Sequence, residues 1–129
     1  MHIVTDTHPW VWFLTANTRL SSKARTTLSD PANVIIVPTI VMMEIKYLYK
    51  HKRITLAFEE ALQQVETSEN ILLYPLDLSI VTLAPITLDI HDAIIVGTTM
   101  HLAAELGQPV SLVTVDKVIS ESNLVPVIW

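Results

Sequence analysis

The sequence predicts an α/β fold in which a central, mainly parallel sheet of four to five strands carries helices on both faces. Short apolar runs rich in Val and Ile alternate with segments whose apolar residues recur at helical spacing. None of the junctions carries a hairpin signal, so successive strands are expected to be joined by crossovers. One run, Val34-Ile35-Ile36-Val37, is continuously β-branched, as expected for a strand covered on both faces.

In chain order, residues 2–5 form a first strand ending at Asp6, and residues 7–15 a helix with Pro9 tolerated in its first turn. Asn17 to Leu20 is a loop. Ser21 or Ser22 caps a second helix that runs to about Leu28 and stops at Ser29-Asp30-Pro31. After the Val34–Val37 strand, Thr39 caps a helix with Ile40, Met43, Tyr47 and Leu48 on related faces, ending near His51. Leu56, Phe58, Ala61, Leu62 and Val65 mark the next helix, and Ile71-Leu72-Leu73-Tyr74 the third strand. A short helix over 77–84 follows, then a longer one from Asp89 or Ile90 to Glu105, stopped by Leu106-Gly107. Val110 to Thr114 is the fourth strand, and Val125 to Ile128 a weak fifth.

The 129 residues are expected to form one domain, 1–129, large enough to bury well over half of the unfolded surface. No apolar run approaches the ~20 residues of a membrane span, and the start, Met1-His2-Ile3-Val4-Thr5-Asp6, reads as a strand rather than a signal peptide. Cysteine is absent, which excludes disulfides, thiolate ligands and Cys nucleophiles and fits a reducing cytoplasm. Two glycines, Gly97 and Gly107, make no phosphate-binding loop, so nucleoside-triphosphate and dinucleotide chemistry are not expected. A net charge of −5 argues against a coat for long nucleic acid but not against a nuclease whose acids are offset by metal.

Four carboxylates stand where a structure has little use for them. Asp6 closes Ile3-Val4-Thr5, Glu44 interrupts Ile40–Ile45, Asp92 opens Ala93-Ile94-Ile95-Val96, and Asp116 closes Val110–Val115. Buried carboxylates are normally paired or bound to a cation. The chain has eight Lys and Arg, none next to Asp6 or Asp92, so a shared divalent metal is the economical partner. Oxygen-only ligands suit Mg²⁺ or Mn²⁺, and such ions serve phosphodiester hydrolysis. In parallel sheets, ligands bind outside the carboxyl ends of the strands, where all four acids are expected to converge.

Each acid also has a plainer reading. Asp6, Asp116 and Asp89 are candidate helix caps, Asp116 for a helix from Lys117 onward. Glu44 reads equally as an exposed helix residue, and Asp92 as a first-turn acid favoured by the helix dipole. Lys46, Lys50, Lys52 and Arg53 are either a solvated helix end or contacts to a substrate backbone. His8 is expected to hydrogen-bond structurally and His91 to be structural or exposed. Thr114 orients Asp116, touches a metal-bound water, or is an ordinary strand residue. Met42 and Met43 are expected to be filler.

Val4-Thr5-Asp6-Thr7-His8-Pro9-Trp10-Val11-Trp12 resembles the opening of PIN domains, especially VapC-type toxin ribonucleases. Val37-Pro38-Thr39-Ile40 through Glu44-Ile45 and the basic Lys52-Arg53-Ile54 look like the family's second motif. Ile90-His91-Asp92-Ala93-Ile94-Ile95-Val96 with Thr98 and Thr99 resembles the third, and Leu112-Val113-Thr114-Val115-Asp116 the fourth. The resemblance spans nearly the whole chain and implies a PIN-like α/β/α sandwich. It further implies a Mg²⁺- or Mn²⁺-dependent endoribonuclease, the toxin of a toxin–antitoxin pair, with RNA as substrate, a cognate antitoxin as partner, and a homodimer. Trp10-Val11-Trp12-Phe13 is a candidate interface, with burial in the core as its alternative. By motif position Asp6, Glu44, Asp92 and Asp116 inherit the acidic quartet, with Asp89 auxiliary. Related toxins often carry a basic residue after the third-motif Asp, where this chain has Ala93. Two other readings stay open: a PIN nuclease of RNA processing without an antitoxin, and a catalytically silent binding module. A carboxylate–metal phosphatase lacks its Asp-x-Asp pair, because position 8 is His.

Overall fold

The computed structural model describes residues 1–129. Five strands, β1 (His2–Thr5), β2 (Val34–Pro38), β3 (Ile71–Tyr74), β4 (Ser111–Val113) and β5 (Val127–Ile128), form one sheet in the order β3-β2-β1-β4-β5. Every pairing is parallel, with Val4 opposite both Ile36 and Leu112 at the centre. Seven helices surround it: α1 (Thr7–Leu14), α2 (Ser22–Ser29), α3 (Thr39–Lys50), α4 (Phe58–Glu66), α5 (Leu78–Leu83), α6 (Ile90–Leu106) and α7 (Lys117–Ser122). The chain steps outward from β1 to β3, then returns to β4 beside β1. Right-handed crossovers therefore put α1–α4 on one face and α5–α7 on the other. This is the expected three-layer α/β/α sandwich.

The strand interiors explain the apolar runs. Ile3, Val4, Ile35, Val37, Leu112 and Val113 are buried, and Trp10, Val41, Ile45, Ile95, Val96 and Ile119 pack on them from the helices. Burying such a side chain contributes roughly 1.5–3 kcal/mol. Helix α6 approaches α5 closely at Gly97, where a Cβ would lie 3.0 Å from the Ala84 Cα. Gly107 ends α6 in the left-handed conformation, with φ 62°. No helix is long and apolar enough to cross a membrane.

Several local expectations need correction. Pro38, not Thr39, is the cap residue of α3, and no side chain caps that helix. Its buried face is Val41, Met42, Ile45 and Leu48, whereas Met43 and Tyr47 are 60% and 55% exposed. The segment is apolar almost all round, so its periodicity did not single out the buried stripe. Met42 fills the core as expected; Met43 does not. Ser21 caps α2, its Oγ accepting the Ala24 N–H at 3.1 Å. The helix expected from Leu56 begins at Phe58. Residues 117–122 form α7, with Asp116 as its cap residue.

Candidate active site

The strand order reverses between β1 and β4, which opens a crevice at their carboxyl ends. Asp6 directly follows β1, and Asp116 lies three residues beyond β4. Asp92 is in the first turn of α6, and Glu44 lies midway along α3. The fold thus brings the four acids near enough for Asp92 to feel the charges of Asp6, Asp116, Asp89 and Glu44.

A small polar scaffold holds the cluster. The Thr114 hydroxyl donates to Asp6 Oδ2 at 2.7 Å while its oxygen accepts the Asp116 N–H at 3.1 Å. Fully buried Thr114 therefore ties the ends of β1 and β4 together. Asp6 Oδ1 accepts the Thr7 N–H at 2.7 Å, so Asp6 also caps α1. The Thr7 hydroxyl reaches across 37 residues to donate to Glu44 Oε1 at 3.0 Å. Asp116 Oδ1 caps α7 by accepting the N–H groups of Val118 and Ile119 at 2.7 and 3.2 Å. The cap readings of Asp6 and Asp116 are therefore correct. They use only part of each carboxylate, since Asp116 Oδ2 stays free of protein donors. Asp89 precedes α6, but its side chain makes no capping bond.

The electrostatics of the cluster are unfavourable. Burial pushes the Asp6 carboxyl above its ordinary range, against the opposing hydrogen bonds from Thr114 and the Thr7 N–H. Glu44 is raised for the same reason, opposed chiefly by the Thr7 hydroxyl. Asp92 is raised to about 6, by burial first and then by repulsion from Asp6, Asp116, Asp89 and Glu44, with no hydrogen bond to offset them. The ion pairs within 4.0 Å anywhere in the chain both involve histidine, so no Lys or Arg neutralises these acids. His91 Nδ1 lies 3.7 Å from Glu44 Oε2, too long for a hydrogen bond.

The donor set suits a hard divalent cation: oxygen ligands, surplus negative charge and no protein counter-ion. As the side chains stand, no three acidic or imidazole groups are drawn into a ready-made ligand cage. Like charges without a cation between them favour separation.

The four basic residues are scattered. The Lys46 ammonium sits 5.3 Å from the Phe58 ring centroid, and Lys50 and Lys52 border a shallow hollow with Tyr49. Arg53 lines the cavity that also contains Glu44 and His91. His8 is exposed and stands 5.7 Å from the Trp12 ring, with no structural hydrogen bond of the kind expected; His91 is exposed. Trp10 and Val11 are core residues, and Trp12 and Phe13 are half-buried. Sequence reasoning missed Thr7, because its contact depends on a partner 37 residues away.

The PIN domain family profile matches residues 3–122, which include all five acids discussed. None of the curated proteins matches the chain in sequence. Among solved structures, a chain in VapBC2 from Rickettsia felis, bound to a DNA fragment from its promoter, superposes with a TM-score of 0.64 at 14% identity. That superposition covers 98% of this chain and 97% of the other. A chain in VapBC-1 from nontypeable Haemophilus influenzae gives the same TM-score and identity over 98% and 96% of the two chains. Such distant likenesses establish the fold, whereas the sequence match establishes the family: this chain belongs to the PIN domain family.

Proposed function

We propose that the chain is a divalent-metal-dependent endoribonuclease and the toxin of a type II toxin–antitoxin pair. The observation that carries the reading is Asp92, half-buried among four other carboxylates with neither a cation nor a hydrogen bond to stabilise its charge. Structural acids are usually better satisfied. Asp6, Glu44, Asp92 and Asp116 would hold Mg²⁺ or Mn²⁺, with Asp89 adding negative charge at the rim. Held there, such an ion would supply Lewis-acid chemistry for phosphodiester hydrolysis, at the attacking water and at the leaving oxygen. The protein's part is positional. Thr114 fixes Asp6 and the Asp116 backbone in one unit, and Thr7 couples Glu44 to the end of β1. The Asp92 carboxylate, free of hydrogen bonds, can turn toward an incoming cation.

The likeness to chains of VapBC assemblies supports a protein antitoxin as partner. A homodimer belongs to the same reading; Trp10 and Val11 are core residues, which leaves only the half-buried Trp12 and Phe13 of that stretch for its surface. A stronger candidate surface is the exposed apolar group of Leu78 on α5, Ile86 before α6 and Ile90 at the start of α6, which are 79%, 95% and 73% exposed. Light scattering tests it: the parent should be dimeric and Ile86→Lys monomeric, and a monomeric parent at every concentration would refute it.

Purified protein should cleave RNA with Mg²⁺ or Mn²⁺ and stop in EDTA. Expression should arrest growth unless a cognate antitoxin is co-expressed. A well-folded, metal-replete protein that leaves RNA intact would favour the silent binding module. Cleavage without growth arrest would favour an RNA-processing nuclease.

A further inference from the structure

We infer that a groove leading away from the acidic centre holds single-stranded RNA on one side of the cleaved bond, with Arg53 and Arg19 as its phosphate contacts. The inference rests on the nuclease reading above. Two cavities support it. One, of about 430 Å³, contains Glu44 and His91 at its acidic end, together with Tyr47. The other, of about 320 Å³, contains Asn17 and Arg19. They share His8, Leu48 and Arg53 and so form one continuous depression beside the acids.

The same local device aims both arginines. Helix α1 ends with Ala16 at φ 52°, and α3 with Lys52 at φ 57°. After α1, the Asn17 N–H bonds the Trp12 carbonyl at 2.8 Å and the Ala16 N–H bonds the Phe13 carbonyl at 3.3 Å. After α3, the Arg53 N–H bonds the Leu48 carbonyl at 2.9 Å and the Lys52 N–H bonds the Tyr49 carbonyl at 3.0 Å. Both are Schellman turns, which usually place glycine at the left-handed position. Here residues with a Cβ accept that conformation, which is unfavourable for them, and the chain folds back along the groove. Asn17 Oδ1 then accepts the Arg19 N–H at 2.9 Å and orients the second arginine.

Chemistry selects the ligand. Arg19 and Arg53 are exposed and have no carboxylate within 4.0 Å, so their guanidinium groups are free for phosphate oxygens. Tyr47, its ring centroid 4.1 Å from that of His51 and tilted 31° to it, is exposed beside Glu44 and offers a surface on which an unpaired base can stack. Stacking of that kind requires a splayed base, which favours a single strand over a duplex.

A competing role for both arginines is to stabilise helix carboxyl ends, and kinetics separate the two. With a labelled single-stranded oligoribonucleotide and Mn²⁺, Arg19→Ala plus Arg53→Ala should raise KM about tenfold and leave kcat within a few-fold. The dependence of KM on salt should weaken by about 0.7 in log–log slope per lost phosphate contact. Lys23→Ala, on the exposed face of α2, should behave as the parent. Unchanged KM and salt slope in the double variant would overturn the groove and leave the nuclease reading intact, and so would equal KM for duplex and single strand. An inactive parent would fell the nuclease reading itself, and the groove with it.

Discussion

The two ends of α6 carry polar clusters of opposite character. At its start, Asp92 meets Asp6, Asp116, Asp89 and Glu44, and every neighbouring charge raises its pKa. Toward its end, His101 Nε2 lies 3.1 Å from the Tyr74 hydroxyl and 3.3 Å from Glu105 Oε1, and the Tyr74 hydroxyl donates to Glu105 Oε2 at 3.4 Å. That second cluster contains its own donors and acceptors and closes on itself. Burial and the nearby Glu105 raise the Tyr74 phenol, keeping it a neutral donor over the working pH range. One helix thus joins a self-satisfied cluster to one that lacks its positive partner. Only the acidic cluster carries repulsion that a bound cation would relieve.

If that contrast is right, equal perturbations at the two ends have unequal consequences. The largest effect is expected from Asp92→Asn, which keeps size but deletes the charge. RNA cleavage should fall by more than the ~10–100-fold typical of groups that only touch a metal ligand, and Mn²⁺ binding should weaken. In EDTA its melting temperature should equal or exceed the parent's, because repulsion is relieved. Full activity in this variant, with contaminating nuclease excluded, would remove Asp92 from the site. Next comes Thr114→Val, nearly isosteric, which removes the hydroxyl shared by Asp6 and Asp116. A loss within about 10–100-fold is expected in cleavage, with about 1 kcal/mol of stability. Unchanged cleavage would show that the acids need no such support.

At the other end of the helix, Tyr74→Phe should cost about 0.5–1 kcal/mol in denaturant melts and leave cleavage untouched. Lost cleavage there would break the distinction between the two clusters.

The smallest effect concerns pH in metal-free protein. Folding raises the Asp92 pKa to about 6, so the folded state holds this proton more tightly than the unfolded chain. The contribution is fully present below the ordinary aspartate pKa of about 4 and is lost as pH rises through about 6. Asp6 and Glu44 are shifted in the same direction. Because Asp92 is partly exposed, about 1 kcal/mol or less is at stake. Melts in EDTA should show stability falling across that window and a shallower fall in Asp92→Asn; identical slopes would mean that Asp92 is not repelled.

The parts of this molecule visible in its sequence are those that depend on neighbours along the chain. Val34–Val37 announces a central strand because β-branched residues suit a sheet covered on both faces. Asp6 and Asp92 stand out because they bound apolar runs without a nearby cation. What escaped depends on distant partners. Thr7 matters through Glu44, and Arg19 through a cavity built jointly by the ends of α1 and α3. The buried stripe of α3 is not singled out by the sequence because Met43 and Tyr47 carry large, mainly apolar side chains like the residues that α3 buries. Helix α7 was left undecided because Lys117–Ser122 has few apolar residues, with only Ile119 buried.

The central claim is that Asp6, Glu44, Asp92 and Asp116 form a divalent-cation site. Crystals grown with Mn²⁺, with data collected for its anomalous signal, test this most directly. The account predicts a peak within bonding distance of carboxylate oxygens from Asp92 and at least one of Asp6, Glu44 and Asp116. Mn²⁺ bound only elsewhere, or these four carboxylates left without an ion at saturating Mn²⁺, would contradict it.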